Sequence, residues 1–317
     1  MIKKNLLHLK YAVEVSKTSS ITKAAENLYM GQPNLSRGIK ELEESLGVVL
    51  FKRTPKGMIP TSEGEEFLFY AKKILSQLDT VENMFREDAL QCSRFSISVP
   101  RADYISCAFA RFAKNLDRSH GTEIFYKETN ALRTVKNVLG SEYNMGILRY
   151  QLSYDKYYKS MLSEKGLHGE LVCEFEPMVI MSESNPLSQK ETLGQSDLSG
   201  LTEIVHADPY VPSLPMSEVR REEIDANADK HIFVFERGSQ MELLSEMDNA
   251  FMRVSPVPQK LLERFSLIQR PMPSENKRYK DVLIYKEEYR LSELDKRFID
   301  ELMNVKRELA AGDYPVF

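Results

Sequence analysis

Side chains suited to metal, redox or nucleophilic chemistry are thinly spread through these 317 residues. The histidines, His8, His120, His168, His206 and His231, are scattered, and Cys92, Cys107 and Cys173 are odd in number and far apart. Metal sites need clustered ligands and disulfide frameworks need paired cysteines, so the three thiols read as free and partly buried, and no metal is expected. No glycine-rich phosphate loop and no nucleophile elbow occurs, so neither a resident cofactor nor an enzyme is expected. What stands out is basic charge at one end. Through Thr61 there are ten Lys and Arg (Lys3, Lys4, Lys10, Lys17, Lys23, Arg37, Lys40, Lys52, Arg53, Lys56) against five Glu, a balance of +5 in a chain whose formal charge is −4. A basic head on an acidic body is the asymmetry of a chain that meets phosphate at one end.

The elements that must position those charges can be read from periodicity. Leu6, Leu9, Tyr11, Ala12, Val13 and Val15 have helical spacing before the polar break Ser16–Ser20. Ser20 suits the N-cap of a second helix over Ile21–Leu28, and Tyr29-Met30-Gly31 is a short turn. A third helix is expected from Gln32 to Leu46, with Pro33 in its first turn and Gly47 just past its end. Two helices joined by about three residues have helix-turn-helix spacing, although ordinary helical hairpins share it. Short strands around Pro55-Lys56-Gly57 then make a basic-tipped hairpin, the form of a wing. From Ser62, with Glu65 three residues on as a capping box, Phe67, Tyr70, Ala71, Ile74, Leu78, Val81 and Phe85 step by three and four. One long helix cannot hide such a stripe alone, so pairing with a second copy is expected, with packing on its own C-terminal region as the alternative.

After Leu90 the texture changes to alternating strands and helices, which implies βαβ units and a parallel sheet. Strands are expected at Phe95–Val99, Glu123–Lys127, Met145–Leu148, Pro177–Met181, Thr202–His206, His231–Phe235 and Val282–Tyr285. Helices are expected over Tyr104–Leu116, with Asp103 as cap, over Leu132–Leu139 and over Leu291–Leu309. No apolar run is long enough to span a bilayer, and the first residues lack the apolar core of a secretion signal, so a cytoplasmic protein without membrane contact is expected.

The runs Ser19-Ser20-Ile21-Thr22-Lys23-Ala24-Ala25-Glu26-Asn27-Leu28 and Gln32-Pro33-Asn34-Leu35-Ser36-Arg37-Gly38-Ile39-Lys40-Glu41-Leu42-Glu43 continue into Leu46–Thr54 and Pro60–Gly64. Over about sixty residues this series strongly resembles the signature of the LysR-type transcriptional regulators. The resemblance implies an α/β protein with an all-α-type winged helix-turn-helix head and a sensor like a periplasmic solute-binding protein, built of two subdomains. The implied boundaries are 1–61 for the DNA-binding domain, 62–91 for the dimerising linker helix and 92–317 for the sensor. Within the sensor, subdomain I takes 93–150 and 273–317, and subdomain II takes 172–268. Asn185-Pro186-Leu187 resembles the loop after the first strand of the second subdomain. The chain departs from the family pattern at Gly31, where a serine is usual, at Asn144, where an aspartate is usual, and around Asn249–Arg253, where glycines are usual. Tyr154–Gly166 is longer than usual and is expected to add a helix at the first crossover.

On that resemblance Gln32 faces adenine and Arg37 guanine in the major groove, and Pro33 touches a thymine methyl. Asn34 and Ser36 reach phosphates or base edges, while Thr22, Lys40, Arg53 and Lys56 suit phosphates or the minor groove. For the sensor, Pro100–Asp103 joins a strand end to a helix N-terminus, where backbone N–H groups favour anions. Ser98, Arg101, Ser106, Asn130, Arg149 and Arg253 are the expected effector-binding residues for a small carboxylate, with Asp103 opposing it or selecting an added amino group. The expected partners are double-stranded DNA, a small and anionic metabolite, and a second copy through the linker helix, assembling further to a tetramer; RNA polymerase is a further candidate. A regulator with a vestigial cleft, and a solute-binding protein without a regulatory role, are the alternatives.

Overall fold

In the computed structural model the described residues are 6–55, 57–85, 92–117, 121–207, 212, 228, 230–273 and 277–312. They fall into two compact units, Met1–Cys92 and Ser93–Phe317. Lys56 and residues 86–91 lie outside the described set, as do the side chains of Val81 and Phe85.

The first unit contains α1 (Leu6–Thr18), α2 (Ile21–Asn27), α3 (Gln32–Leu46), the hairpin β1 (Phe51–Thr54) and β2 (Gly57–Pro60), and α4 (Ser62–Phe85). Its core joins Ala12 and Val15 of α1, Ala24 and Ala25 of α2, and Leu35, Ile39 and Leu42 of α3 with Leu50, Leu68 and Ala71. The small residues permit close approach: a Cβ on Gly38 would meet the Tyr11 ring at 2.9 Å, so the ring of α1 packs directly on the backbone of α3 there. Ser20 caps α2 through the Lys23 amide, and Gly47 ends α3 at φ 73°. The capping box expected at Ser62 gives way to a simple cap by Thr61. The Thr61 hydroxyl accepts from the Gly64 amide at 2.9 Å and donates to the Val49 carbonyl at 2.7 Å. Gly64 is the third residue of the helix because a Cβ there would stand 2.0 Å from the Leu50 carbonyl oxygen.

The second unit holds two five-stranded sheets. The first has the order β4 (Gly121–Glu128), β3 (Cys92–Val99), β5 (Met145–Gln151), β12 (Tyr279–Lys286), β6 (Leu167–Phe175). Strands β3 and β5 run parallel, while β12 is antiparallel to both its neighbours. The second has the order β11 (Leu267–Pro271), β7 (Met178–Ser182), β10 (Ala250–Val254), β8 (Thr202–His206), β9 (Lys230–Val234), mixed in the same way. Helices α5 (Asp103–Lys114) and α10 (Glu293–Ala310) bury Ile105, Phe112, Phe298 and Leu302 with Phe95 and Ile97 of the first sheet. Helices α6 (Ala131–Leu139) and α7 (Asp155–Glu164) supply Val135, Val138, Tyr158 and Leu162 to a second cluster containing Leu148 and Ile284 of the same sheet. Helices α8 (Gly238–Glu246) and α9 (Gln259–Arg264) bury Met241, Leu244 and Leu262 with Ile180 and Met252 of the second sheet.

The chain crosses between the sheets later than the expected subdomain limits. Glu174 and Phe175 pair with Lys280 and Tyr279, so β6 stays in the first sheet and the crossovers fall at 176–177 and 272–278. The long segment does form a helix, α7, but it precedes β6 and so adds to the first half rather than bridging the two. Asp103 is the first residue of α5 and not its cap; Ala102 holds the cap position and offers no side-chain bond.

Candidate functional site

Two sets of side chains are placed for recognition, one in each unit. In the first, burial of Leu35, Ile39 and Leu42 turns the opposite face of α3 outward. Gln32, Pro33, Asn34, Arg37 and Lys40 are exposed on it, and Ser36 is half-buried. Lys40 lies 3.7 Å from Glu44 on the next turn, an exposed pair that leaves both side chains hydrated. Thr22 is exposed on α2 and Arg53 on β1. Gly31 occupies the N-cap of α3 and supplies no side-chain bond, so the departure from the family serine costs the cap its hydroxyl.

Three contacts hold the hairpin to the helices. Glu43 of α3 accepts from the amides of Leu50 (2.7 Å) and Phe51 (3.1 Å), which anchors the start of β1. The Met58 amide donates to the Ser19 carbonyl at 2.8 Å. Gly57, at φ 108°, lets the backbones meet there, since a Cβ would stand 2.3 Å from the Ser19 oxygen. Tyr29, read from the sequence only as a turn residue, is 98% exposed at φ 51° immediately before α3. A large aromatic in a three-residue turn was the signal available for it.

In the second unit a cavity of about 200 Å³ opens between the two sheets. Its floor and sides come from strand ends: Pro100 and Arg101 after β3, Thr129 and Asn130 after β4, Arg149 and Gln151 on β5, Glu203 and His206 on β8, and Arg253 and Ser255 at β10. Tyr150, Tyr154, Phe175 and Tyr279 give it an aromatic part. Of the six residues expected to bind an effector, Arg101, Asn130, Arg149 and Arg253 line this cavity. Ser98 does not: fully buried, it bonds Asn137 (3.0 Å) and lies 3.2 Å from the Thr134 hydroxyl, where it ties α6 to the sheet. Ser106 is also elsewhere, bonding the Asp103 carbonyl (3.0 Å) and accepting from Arg237 (2.7 Å). Asp103 likewise faces Arg237 and not the cavity, so it neither repels nor selects a ligand there.

Two cavity arginines have carboxylate partners from distant sequence. Arg149 meets the fully buried Asp281 with two bonds, 2.9 and 2.6 Å, and lies over the Phe175 ring at 4.6 Å. Asp281 also accepts from the Tyr104 hydroxyl at 2.5 Å, and burial, reinforced by that carboxylate, lifts the Tyr104 hydroxyl far above its ordinary range. Arg253 is held on the buried Glu203 at 2.9 and 2.8 Å, with His231 at 3.5 Å. His206 is different. Its Nδ1 is buried without a hydrogen-bond partner among the described residues. Burial, then the positive field of Arg101, Arg149 and Arg237, pushes its pKa down to about 3, so its ring is neutral at ordinary pH. Tyr154, at the start of the long segment, reaches the cavity, whereas Asn144 does not; its amide donates to Ser96 at 3.0 Å.

Among the described residues no cluster of three or more His, Cys, Asp or Glu could hold a metal ion, and no helix is long and apolar enough to cross a membrane. Residues 6–65 match the family model described as bacterial regulatory helix-turn-helix protein, lysR family. Over 84 residues the chain is 44% identical to the HTH-type transcriptional regulator BenM of Acinetobacter baylyi, a stretch covering 26% of this chain and 28% of BenM. Over 220 residues it is 27% identical to the HTH-type transcriptional regulator AlsR of Bacillus subtilis, covering 68% of each. Its fold is similar to that of full-length CbnR in complex with its target DNA, at a TM-score of 0.58 and 16% identity, over 95% of this chain and 100% of CbnR. The signature of the first unit and the matching model agree: residues 6–65 form a helix-turn-helix domain of the bacterial regulatory lysR family.

Proposed function

We propose that the chain is a sequence-specific, DNA-binding transcription regulator whose grip on DNA is set by a small anion in the cavity of its second unit. The observation that carries the DNA reading is the outward face of α3. Its exposed side chains, Gln32, Asn34 and Arg37, are of the types that read base edges, and the buried opposite face fixes their direction. Arg53 on the wing and Thr22 on α2 suit phosphate contacts, and Tyr29 extends the same surface as an aromatic platform. The exposed Tyr70 and Ile74 of α4 support a homodimer through that helix, and a tetramer of such dimers would act on paired sites. RNA polymerase in the cytoplasm is the natural further partner of a regulator bound at a promoter.

The effector reading rests on the composition of the cavity. Arg101, Arg149 and Arg253 bring three guanidinium groups to the lining, Arg149 against Asp281 and Arg253 against Glu203, and groups of this type suit a small carboxylate. At about 200 Å³ the cavity is below the range of roughly 300–1,000 Å³ usual for drug-sized ligands. The aromatic part suits a small planar body. The ligand acts as a switch only if it binds two assemblies of the regulator with different affinity.

The deciding experiment is a binding screen of genomic fragments with wild type and Arg37→Ala, titrated with salt. The expected result is selective binding to an imperfect palindrome. Arg37→Ala should cost about 1–3 kcal/mol there and relax selectivity at one base position. Equal and weak binding of every fragment by both proteins would remove the regulator reading and leave the cavity as the functional centre.

A further inference from the structure

The two halves of the second unit are joined by chain only at one edge. The crossovers 176–177 and 272–278 connect β6 and β12, at one side of the first sheet, with β7 and β11, at one side of the second. At the far edges stand β4 and β9, and there the Arg237 side chain spans the gap. Arg237, in the tight link between β9 and α8, donates to Asp103 at the start of α5 (2.5 Å), to the Ser106 hydroxyl (2.7 Å) and to Glu128 at the end of β4 (2.7 Å). Its guanidinium is 18% exposed, and Asp103 is buried. None of these four residues lines the cavity, although Arg101 and Thr129, their chain neighbours on the loops after β3 and β4, do.

We propose that Arg237 is a latch across the cleft: the ligand cavity lies between the two halves, and the Arg237–Asp103–Glu128 cluster holds their far edges together. A guanidinium shared between two carboxylates and a hydroxyl is a short-range device that either forms with its full geometry or is lost. It sets the relation of the halves before any ligand arrives, and a ligand gains entry by paying for its opening or is retained by its closing. Burial raises the Asp103 carboxyl pKa even against the pull of Arg237, so the cluster is stable only with the guanidinium in place. The latch is specific to pairing across the cleft. By contrast, Lys190–Asp197, at 2.5 Å, lies wholly within the second half.

The link to ligand entry rests on the effector reading, but the latch itself is tested without a ligand. A donor and an acceptor dye are placed by unnatural amino acids at the exposed positions of Lys136 on α6 and Glu242 on α8 of the full chain. The labelled protein is diluted into unlabelled protein, so that transfer reports one protomer, and single-molecule transfer efficiencies are recorded. Arg237→Gln is expected to raise the population of the low-efficiency, open state at least tenfold, and Glu128→Gln to raise it by a smaller factor. Lys190→Gln should leave the distribution as in wild type. An Arg237→Gln distribution that matches wild type overturns the latch, as does an equal shift in Lys190→Gln. If Arg237→Gln does not fold, Glu128→Gln decides, because Glu128 is partly exposed and Arg237 keeps Asp103 in that variant; an unchanged distribution then overturns the proposal. Loss of the latch with intact DNA selectivity, or the reverse, separates this inference from the regulator reading.

Discussion

His206 is the residue at which acid should act on this protein. A histidine whose folded pKa lies near 3 must take up a proton on unfolding between about pH 3 and pH 6.5, so the unfolded chain binds more protons in that window. Stability therefore rises with pH between 3 and 6.5, and its loss by pH 5 amounts to about 2 kcal/mol from this group alone. Replacing His206 by Asn should flatten that part of the stability–pH profile in denaturant titrations at pH 7 and pH 5; an unchanged profile would assign the acid sensitivity elsewhere. Arg149 calls for the opposite caution. Arg149→Ala strands Asp281, which is wholly buried, and should cost about 3–5 kcal/mol of stability through that unpaired charge. A weakened ligand response in Arg149→Ala thus carries meaning only beside its melting curve. The partners of Arg149 and Arg253 lie 132 and 50 residues away, which is why the sequence offers these cavity arginines as equivalent anion ligands. Spacing along the chain carries no trace of who neutralises whom. Ser98 was misplaced for the same reason: strand alternation does not say which face looks at a helix and which at a cleft.

At the scale of elements, local signals and tertiary pairing divide the molecule. The first unit was legible because its cues act within a few residues: the Ser20 cap, Pro33 at the start of α3, Gly47 at its end and the three-step apolar spacing. Even there, the cap of α4 was read one residue late, since the Thr61 hydroxyl works through Gly64 and Val49, contacts made possible by a glycine that the capping rule does not ask for. In the second unit β6 went unread because four exposed residues, His168–Leu171, interrupt its apolar pattern, and it is a strand by virtue of pairing with β12, more than a hundred residues on. Glu43 offers the sharpest test of how elements are joined. Glu43→Ala leaves the Leu50 and Phe51 amides without their acceptor and should cost about 1–3 kcal/mol. Amide exchange over Phe51–Pro60 should accelerate more than exchange over α1, because the wing loses its anchor while the helices keep their core. Uniform acceleration across the unit would mean that the hairpin and helices form one inseparable block. Gly64→Ala should be more damaging still, because the obstructing atom is backbone and cannot rotate away.

For the whole molecule the decisive contact is the proposed one between two copies of the chain. The early turns of α4 are spent on the first unit's own core through Leu68 and Ala71, with Phe67 and Leu75 packed beside them. Tyr70 and Ile74 sit four apart on another face of the same helix, 55% and 43% exposed, so the stripe seen in sequence is really two faces, one buried and one exposed. Covering the second face with its own copy would set two α3 helices in a two-fold relation, which is what a palindromic site requires. Two half-sites bound by linked heads gain an effective concentration that a lone head lacks, worth on the order of a hundredfold or more in affinity. Ile74→Glu places a charge in that face without touching Leu68, Ala71 or any residue of α3. The expected outcome is a shift towards monomer in sedimentation velocity, near-wild-type melting of the first unit, and a fall in palindrome affinity of at least tenfold with half-site affinity kept. A variant that stays dimeric with full affinity would place the two-fold contact elsewhere on the chain and leave Tyr70 and Ile74 to a different partner.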